Sequence, residues 1–173
     1  MDGLVMSKLP TGTIELLVRH AANSTTGSEF VNWAIHALTD GHDSPSLRRL
    51  AGLAENTTTF ETTPLFDRAL QELELPIPQS KEELYRKFLL SIAHDIVNGL
   101  RSVESALQVI HRQVLDPLNH PPDLMPWCYL WEGLDPLTFD SLDEDAIATA
   151  VRALARDTVA RDTVSESSSP RGT

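Results

Sequence analysis

Residues 30–53, FVNWAIHALTDGHDSPSLRRLAGL, leave the chain few ways to fold. Phe30, Trp33, Ala34, Ala37 and Leu38 recur at helical spacing and form one apolar face. Asp40-Gly41 stops that helix, because glycine takes the left-handed backbone that a helix end needs. Ser44 precedes Pro45, and a residue before proline is pushed out of the helical region. Ser44 is therefore expected as N-cap and Pro45 as first residue of a second helix, whose Leu47, Leu50 and Ala51 face back to the first. An αα-hairpin is the expected unit of construction.

The same punctuation recurs along the chain. Ile14 to Ala22 reads as a short amphipathic helix, with a brief strand as the alternative. Ser28 can cap the Phe30 helix. The threonine-rich stretch AENTTTFETT disfavours helix and allows a short extended piece. Thr63-Pro64 repeats the Ser44-Pro45 device and is expected to start a helix carrying Leu65, Phe66, Ala69, Leu70 and Leu73. Ser80 and Glu83 form a capping box opening a helix to about Asn98, with Leu84, Tyr85, Phe88, Leu89, Ile92, Ala93, Ile96 and Val97 inward. Gly99 ends it, and Ser102 can cap the next. Prolines 117, 121, 122, 126 and 136 forbid a long helix in that region, though Trp127 to Glu132 has room for one or two turns. A second capping box, Ser141 with Glu144, opens a last helix with Ile147, Ala150, Val151, Leu154 and Val159 inward. The expected fold is all-α, an irregular single-domain bundle of about seven helices. It spans residues 13–160, between a flexible N-terminus (1–12) and a disordered tail (161–173) poor in apolar residues.

Charge bounds the function. With 25 acidic against 14 basic residues the net charge is −11, which argues against a nucleic-acid surface, since that needs a basic stripe. No apolar run approaches the roughly 20 residues of a membrane span. The start lacks the pattern of a secretion signal, and one cysteine, Cys128, cannot form an internal disulfide, so a cytoplasmic location is expected.

Chemistry-bearing patterns are sparse. His-Asp occurs at His42-Asp43 and His94-Asp95, the dipeptide that helical metal-dependent phosphohydrolases use. Asp43 has a turn role available, however, and His94 and Asp95 share a helix face with Lys87, Ser91 and Asn98, as a solvated face would. No phosphate-binding glycine loop or nucleophile elbow occurs. Cys128, between Trp127 and Tyr129, reads as a small buried hydrophobe. Catalytic, cofactor-binding and metal-ligating residues are therefore not expected, and no cofactor is assigned. Arg48 and Arg49 beside the hairpin turn are expected to brace it through Asp43 or Asp40.

Charge distribution is more informative. Between Arg112 and Arg152 there is no Lys or Arg, while the interval holds Asp116, Asp123, Glu132, Asp135, Asp140, Asp143, Glu144 and Asp145. Within it Trp127, Tyr129 and Trp131 fall inside five residues. Acidic rims around aromatic anchors suit capture of a basic protein, because charge speeds encounter and buried aromatics carry the energy. The other reading has Trp127 and Trp131 sealing the core. The leading expectation is a non-catalytic protein-binding domain, most concretely an immunity-type inhibitor of a basic toxin or nuclease. Its contacts would be Trp127, Tyr129, Trp131, Asp123, Glu132, Asp135, Asp140, Asp143 and Glu144. The alternatives are a phosphohydrolase-like enzyme using His94 and Asp95, and a structural subunit.

Trp33-Ala34, Ala37-Leu38, Asp40-Gly41, Asp43-Ser44, Leu47-Arg48 and Leu50-Ala51-Gly52-Leu53 resemble a pattern in small acidic all-helical bacterial proteins without assigned activity. The resemblance implies a helical fold and a bacterial source. It brings no site residue.

Overall fold

The helix-start signals are honoured almost one for one. A computed structural model of the chain describes residues 9–54, 56–133 and 144–167, without the side chains of 144 and 163–167. The fold is all-α: α1 (Thr13–Ala21), α2 (Gly27–Thr39), α3 (Pro45–Ala51), α4 (Thr59–Glu72), α5 (Lys81–Val97), α6 (Val103–Ile110), α7 (Met125–Gly133) and α8 (Glu144–Ser167). A π turn, His111–Leu115, and a 3-10 turn, Pro122–Leu124, lie between α6 and α7. No strand occurs among the described residues. No helix among them is long and apolar enough to cross a membrane. The helices gather into two compact units, Met1–Leu84 and Tyr85–Thr173.

In the N-terminal unit the expected hairpin is present. Ser44 Oγ accepts from Leu47 N–H at 3.2 Å and Pro45 begins α3. Gly41, at φ 91°, lets the chain leave α2. Arg48 grips both oxygens of Asp43 at 2.6 Å, so the arginine braces the turn as expected and holds the Asp43 carboxyl below its ordinary range. Glu72 at the end of α4 accepts from the Ser46 N–H at 2.9 Å and from its hydroxyl at 2.8 Å, tying α4 to the first turn of α3. The core centres on Phe66, whose ring lies 4.9 Å from that of Phe30 and 4.8 Å from that of Trp33. Leu16, Ala34, Ala37, Leu47, Leu50, Ala69 and Leu70 complete it.

Two starts differ from expectation. Thr26, not Ser28, precedes α2, and its N–H donates to Glu29 Oε2 at 2.7 Å. The helix expected from Thr63-Pro64 begins at Thr59, because Glu61 reaches back to the Thr58 N–H at 2.9 Å and forms a capping box first. Pro64 therefore sits inside α4, and the extended piece expected before it is mostly helix. The Ser80–Glu83 device is present with its return bond displaced by one residue: Glu83 N–H donates to Ser80 Oγ, while Glu83 Oε2 accepts from Gln79 N–H at 2.9 Å.

In the C-terminal unit Tyr85, Phe88, Leu89, Ile92, Ala93 and Ile96 of α5 are buried as expected, and Gly99 ends that helix at φ 69°. Ser102 caps α6 through Ser105 N–H at 3.3 Å. The buried row of α8 is Ile147, Val151 and Ala155, an i, i+4, i+8 stripe, whereas Ala150 faces solvent. That helix continues to Ser167, into the stretch expected as tail. Its alanines and arginines are strong helix formers, and Arg161 pairs with Asp157 one turn back at 3.4 Å. The Ser141–Glu144 capping box, residues 1–8 and residues 168–173 lie outside the described residues.

Candidate metal centre

The segment between α6 and α7 departs from regular helix in two places, and both departures aim polar side chains at one spot. After Ile110 the backbone widens into the π turn, and Asp116 N–H donates to the carbonyl of His111 at 3.0 Å, five residues back. Asn119 and His120 then take left-handed backbones at φ 58° and 52°. Asn and His are among the residue types that tolerate this region best, and a pair of them reverses the chain in a short space. Pro121 and Pro122 lead into α7, which carries Cys128 and, one turn on, Glu132.

His111, His120 and Cys128 converge as a result. One donor atom from each lies within 4.8 Å of the others. The Asp116 carboxylate sits beside both rings, 3.7 Å from His111 Nδ1 and 3.4 Å from His120 Nε2. Trp131 lies over the His111 ring at 5.3 Å between centroids, tilted by 31°, which limits that imidazole's rotation. Cys128 is buried, while His111 is half-buried and His120 and Asp116 are reachable from solvent.

Burial, the negative charge of Glu132, its hydrogen bond from the thiol (Sγ to Oε1, 3.6 Å) and the charge of Asp116 push the Cys128 thiol up, in that order of size. The thiol is thus held neutral while no cation is present. A divalent cation would reverse the balance, since one thiolate and one carboxylate neutralise its two charges. Tetrahedral Zn²⁺, with bonds of about 2.0–2.3 Å, needs donors roughly 3.3–3.6 Å apart. Side-chain rotation of about 1 Å from the observed spacing closes the set. Two imidazoles and a thiolate suit Zn²⁺ and its neighbours, not Mg²⁺ or Ca²⁺, which take oxygen.

The residues singled out as partner contacts separate here. Trp127 is 2% exposed and belongs to the core, so its anchor role gives way to the sealing alternative. Tyr129 projects at 61% exposure. Trp131 is half-buried against His111. The divergence follows from α7 itself: successive residues turn by about 100°, so positions two apart point to nearly opposite sides. Asp123 is held by Arg86 through bonds of 2.6 and 3.2 Å, a cation from outside the basic-free interval. Glu132 is exposed beside the Cys128 thiol. Asp135, Asp140 and Asp143 lie outside the described residues, as does the side chain of Glu144.

His94 is exposed and Asp95 accepts from Arg101 at 3.4 Å. Among the described residues no third histidine, cysteine or carboxylate joins them in a ligand set. The reading of Cys128 as a simple hydrophobe is corrected: it is buried, but beside two imidazoles. Sequence reasoning missed His111, Asp116 and His120. The one available signal was Cys128 and Glu132 at i, i+4 on a single helix face. No family model, curated protein or solved structure matches this chain.

Proposed function

We propose that this protein binds a divalent transition-metal ion of the Zn²⁺ class through His111, His120 and Cys128, with Asp116 as fourth donor. The convergence of the three donors within 4.8 Å carries the reading. Binding displaces the thiol proton, M²⁺ + RSH giving M–SR⁺ + H⁺, and ties the end of α6 to α7 across an irregular connection. Histidines at two left-handed or π positions have no evident packing purpose, which also favours a ligand role. A reducing cytoplasm, which keeps Cys128 as a thiol, fits this chemistry.

Loading the purified protein with Co²⁺ tests it. A thiolate-to-cobalt charge-transfer band is expected, lost in Cys128→Ser and weakened by at least about tenfold in affinity in His120→Ala. Absence of the band at millimolar Co²⁺, or its survival in Cys128→Ser, overturns the proposal.

A second reading retains a protein partner, favoured by the exposure of Tyr129 beside exposed Glu132. A basic partner is then retained at low salt, lost at high salt, and lost with Tyr129→Ala. Retention that ignores both salt and the substitution removes this reading.

A further inference from the structure

A groove of about 560 Å³ lies in the N-terminal unit between the α1–α2 connection and one side of α4, within the size range of small-molecule sites. Its α4 wall is a helical stripe of Thr59, Thr63 and Asp67, with Phe60 and Pro64 alongside. Phe60 is 89% exposed and contributes nothing to the core. Pro64 has no N–H, so the Phe60 carbonyl lacks its usual donor four residues on and remains an acceptor at the wall.

Hydroxyl groups divide sharply in this region. Those of Thr26, Thr57, Thr58 and Thr62 all serve the fold, bonding to Glu29, Glu61, Glu61 and the Thr58 carbonyl at 3.0, 3.0, 2.9 and 3.2 Å. The groove's own polar side chains, on Asn23, Thr25, Thr59, Thr63 and Asp67, make no hydrogen bond or ion pair with a described residue. The opposite rim is nonetheless fixed. Asn23 is left-handed at φ 53° and its N–H donates to the His20 carbonyl at 3.0 Å. Arg19 donates to the Ser24 carbonyl at 3.1 Å, accepts the Ser24 hydroxyl on its own carbonyl at 3.0 Å, and pairs with Glu29. A braced rim of unengaged hydroxyl, amide and carboxylate groups around a bare aromatic ring is preorganised for a ligand rich in hydroxyls.

We infer that this groove binds a neutral saccharide, one sugar ring lying on Phe60 and its hydroxyls bonding to Asp67, Asn23 and the threonines. An aromatic face carries negative charge density and attracts the polarised C–H side of a pyranose. Asp67 supplies two acceptors and Asn23 both donor and acceptor, which matches vicinal hydroxyls. No Lys or Arg lines the groove among the described residues, so phosphorylated or carboxylated ligands lack a counter-charge there.

The test is an amide-shift titration of the full chain with glucose, galactose, mannose, N-acetylglucosamine and their di- and trisaccharides. At least one is expected to shift amides of residues 20–25 and 59–67 in a saturable way. Phe60→Ala is expected to weaken that binding about tenfold and Asp67→Asn about threefold or more. Both positions are exposed, so an unchanged spectrum elsewhere shows the fold intact. No shift at those amides up to about 20 mM sugar, or binding that Phe60→Ala leaves unchanged, overturns the inference. Shifts there produced only by a protein also count against it.

Discussion

Polar side chains do different work in the two units. In the N-terminal unit Glu29, Glu61, Glu72 and Ser44 each answer a backbone N–H at or near a helix start. Removing any of them would leave a helix end unsatisfied. In the C-terminal unit His111, His120 and Cys128 answer no helix end, and together with Asp116 they occupy one small volume. A carboxylate at a helix start explains itself. Two imidazoles and a thiol gathered by a π turn and two left-handed residues call for an occupant, and that contrast locates the functional weight of the chain after Ile110.

Four outcomes would sharpen or break the contrast. The largest is Phe66→Ala, which empties the position where three rings meet and should cost about 3–5 kcal/mol in denaturant unfolding monitored at α2–α4. Next is Gly27→Ala, since a Cβ there would stand 2.0 Å from the Thr57 carbonyl oxygen, a backbone atom that no rotamer change moves away. A loss of about 3 kcal/mol is expected from this overpacking. Saturation with Zn²⁺ at 100 times its dissociation constant should stabilise the C-terminal unit by about 2.7 kcal/mol, an effect read as a raised melting temperature and absent in His120→Ala. An equal rise in the variant would erase the distinction between the units. The smallest effect concerns acid. Hydrogen bonds from the Ser46 N–H and hydroxyl hold Glu72 below its ordinary value of 4.5. The ionised carboxylate therefore favours the folded state above 4.5, and this contribution fades as pH falls through the lowered folded value. Glu72→Gln should flatten that part of the acid profile of the N-terminal unit without changing metal binding.

Local signals were legible because their causes lie within four residues. Asp40-Gly41, Ser44-Pro45, Gly99 and Ser102 each act on the turn beside them, and each does so in the structure. Thr63-Pro64 misled because two start signals competed, and the capping box at Thr58–Glu61 came first in the chain. The aromatic cluster misled in another way. Nearness in sequence reads as one patch, but on α7 it distributes Trp127 to the core, Tyr129 to solvent and Trp131 to His111. The metal centre was illegible for a deeper reason. His111, His120 and Cys128 are spaced by eight and seven intervening residues, and only non-repeating backbone brings them together. Such backbone has no hydrophobic period to reveal it.

The widened turn at 111–115 makes residue count itself a constraint. A π turn holds one residue more than an α turn, and deleting any single position within it would restore ordinary winding. Everything that follows would then rotate by about 100° relative to α6, carrying Asp116 off the His111 imidazole and His120 with it. Length in this stretch is therefore as much a determinant of the site as side-chain chemistry: a shortened variant keeping every histidine, cysteine and carboxylate should still lose the ion.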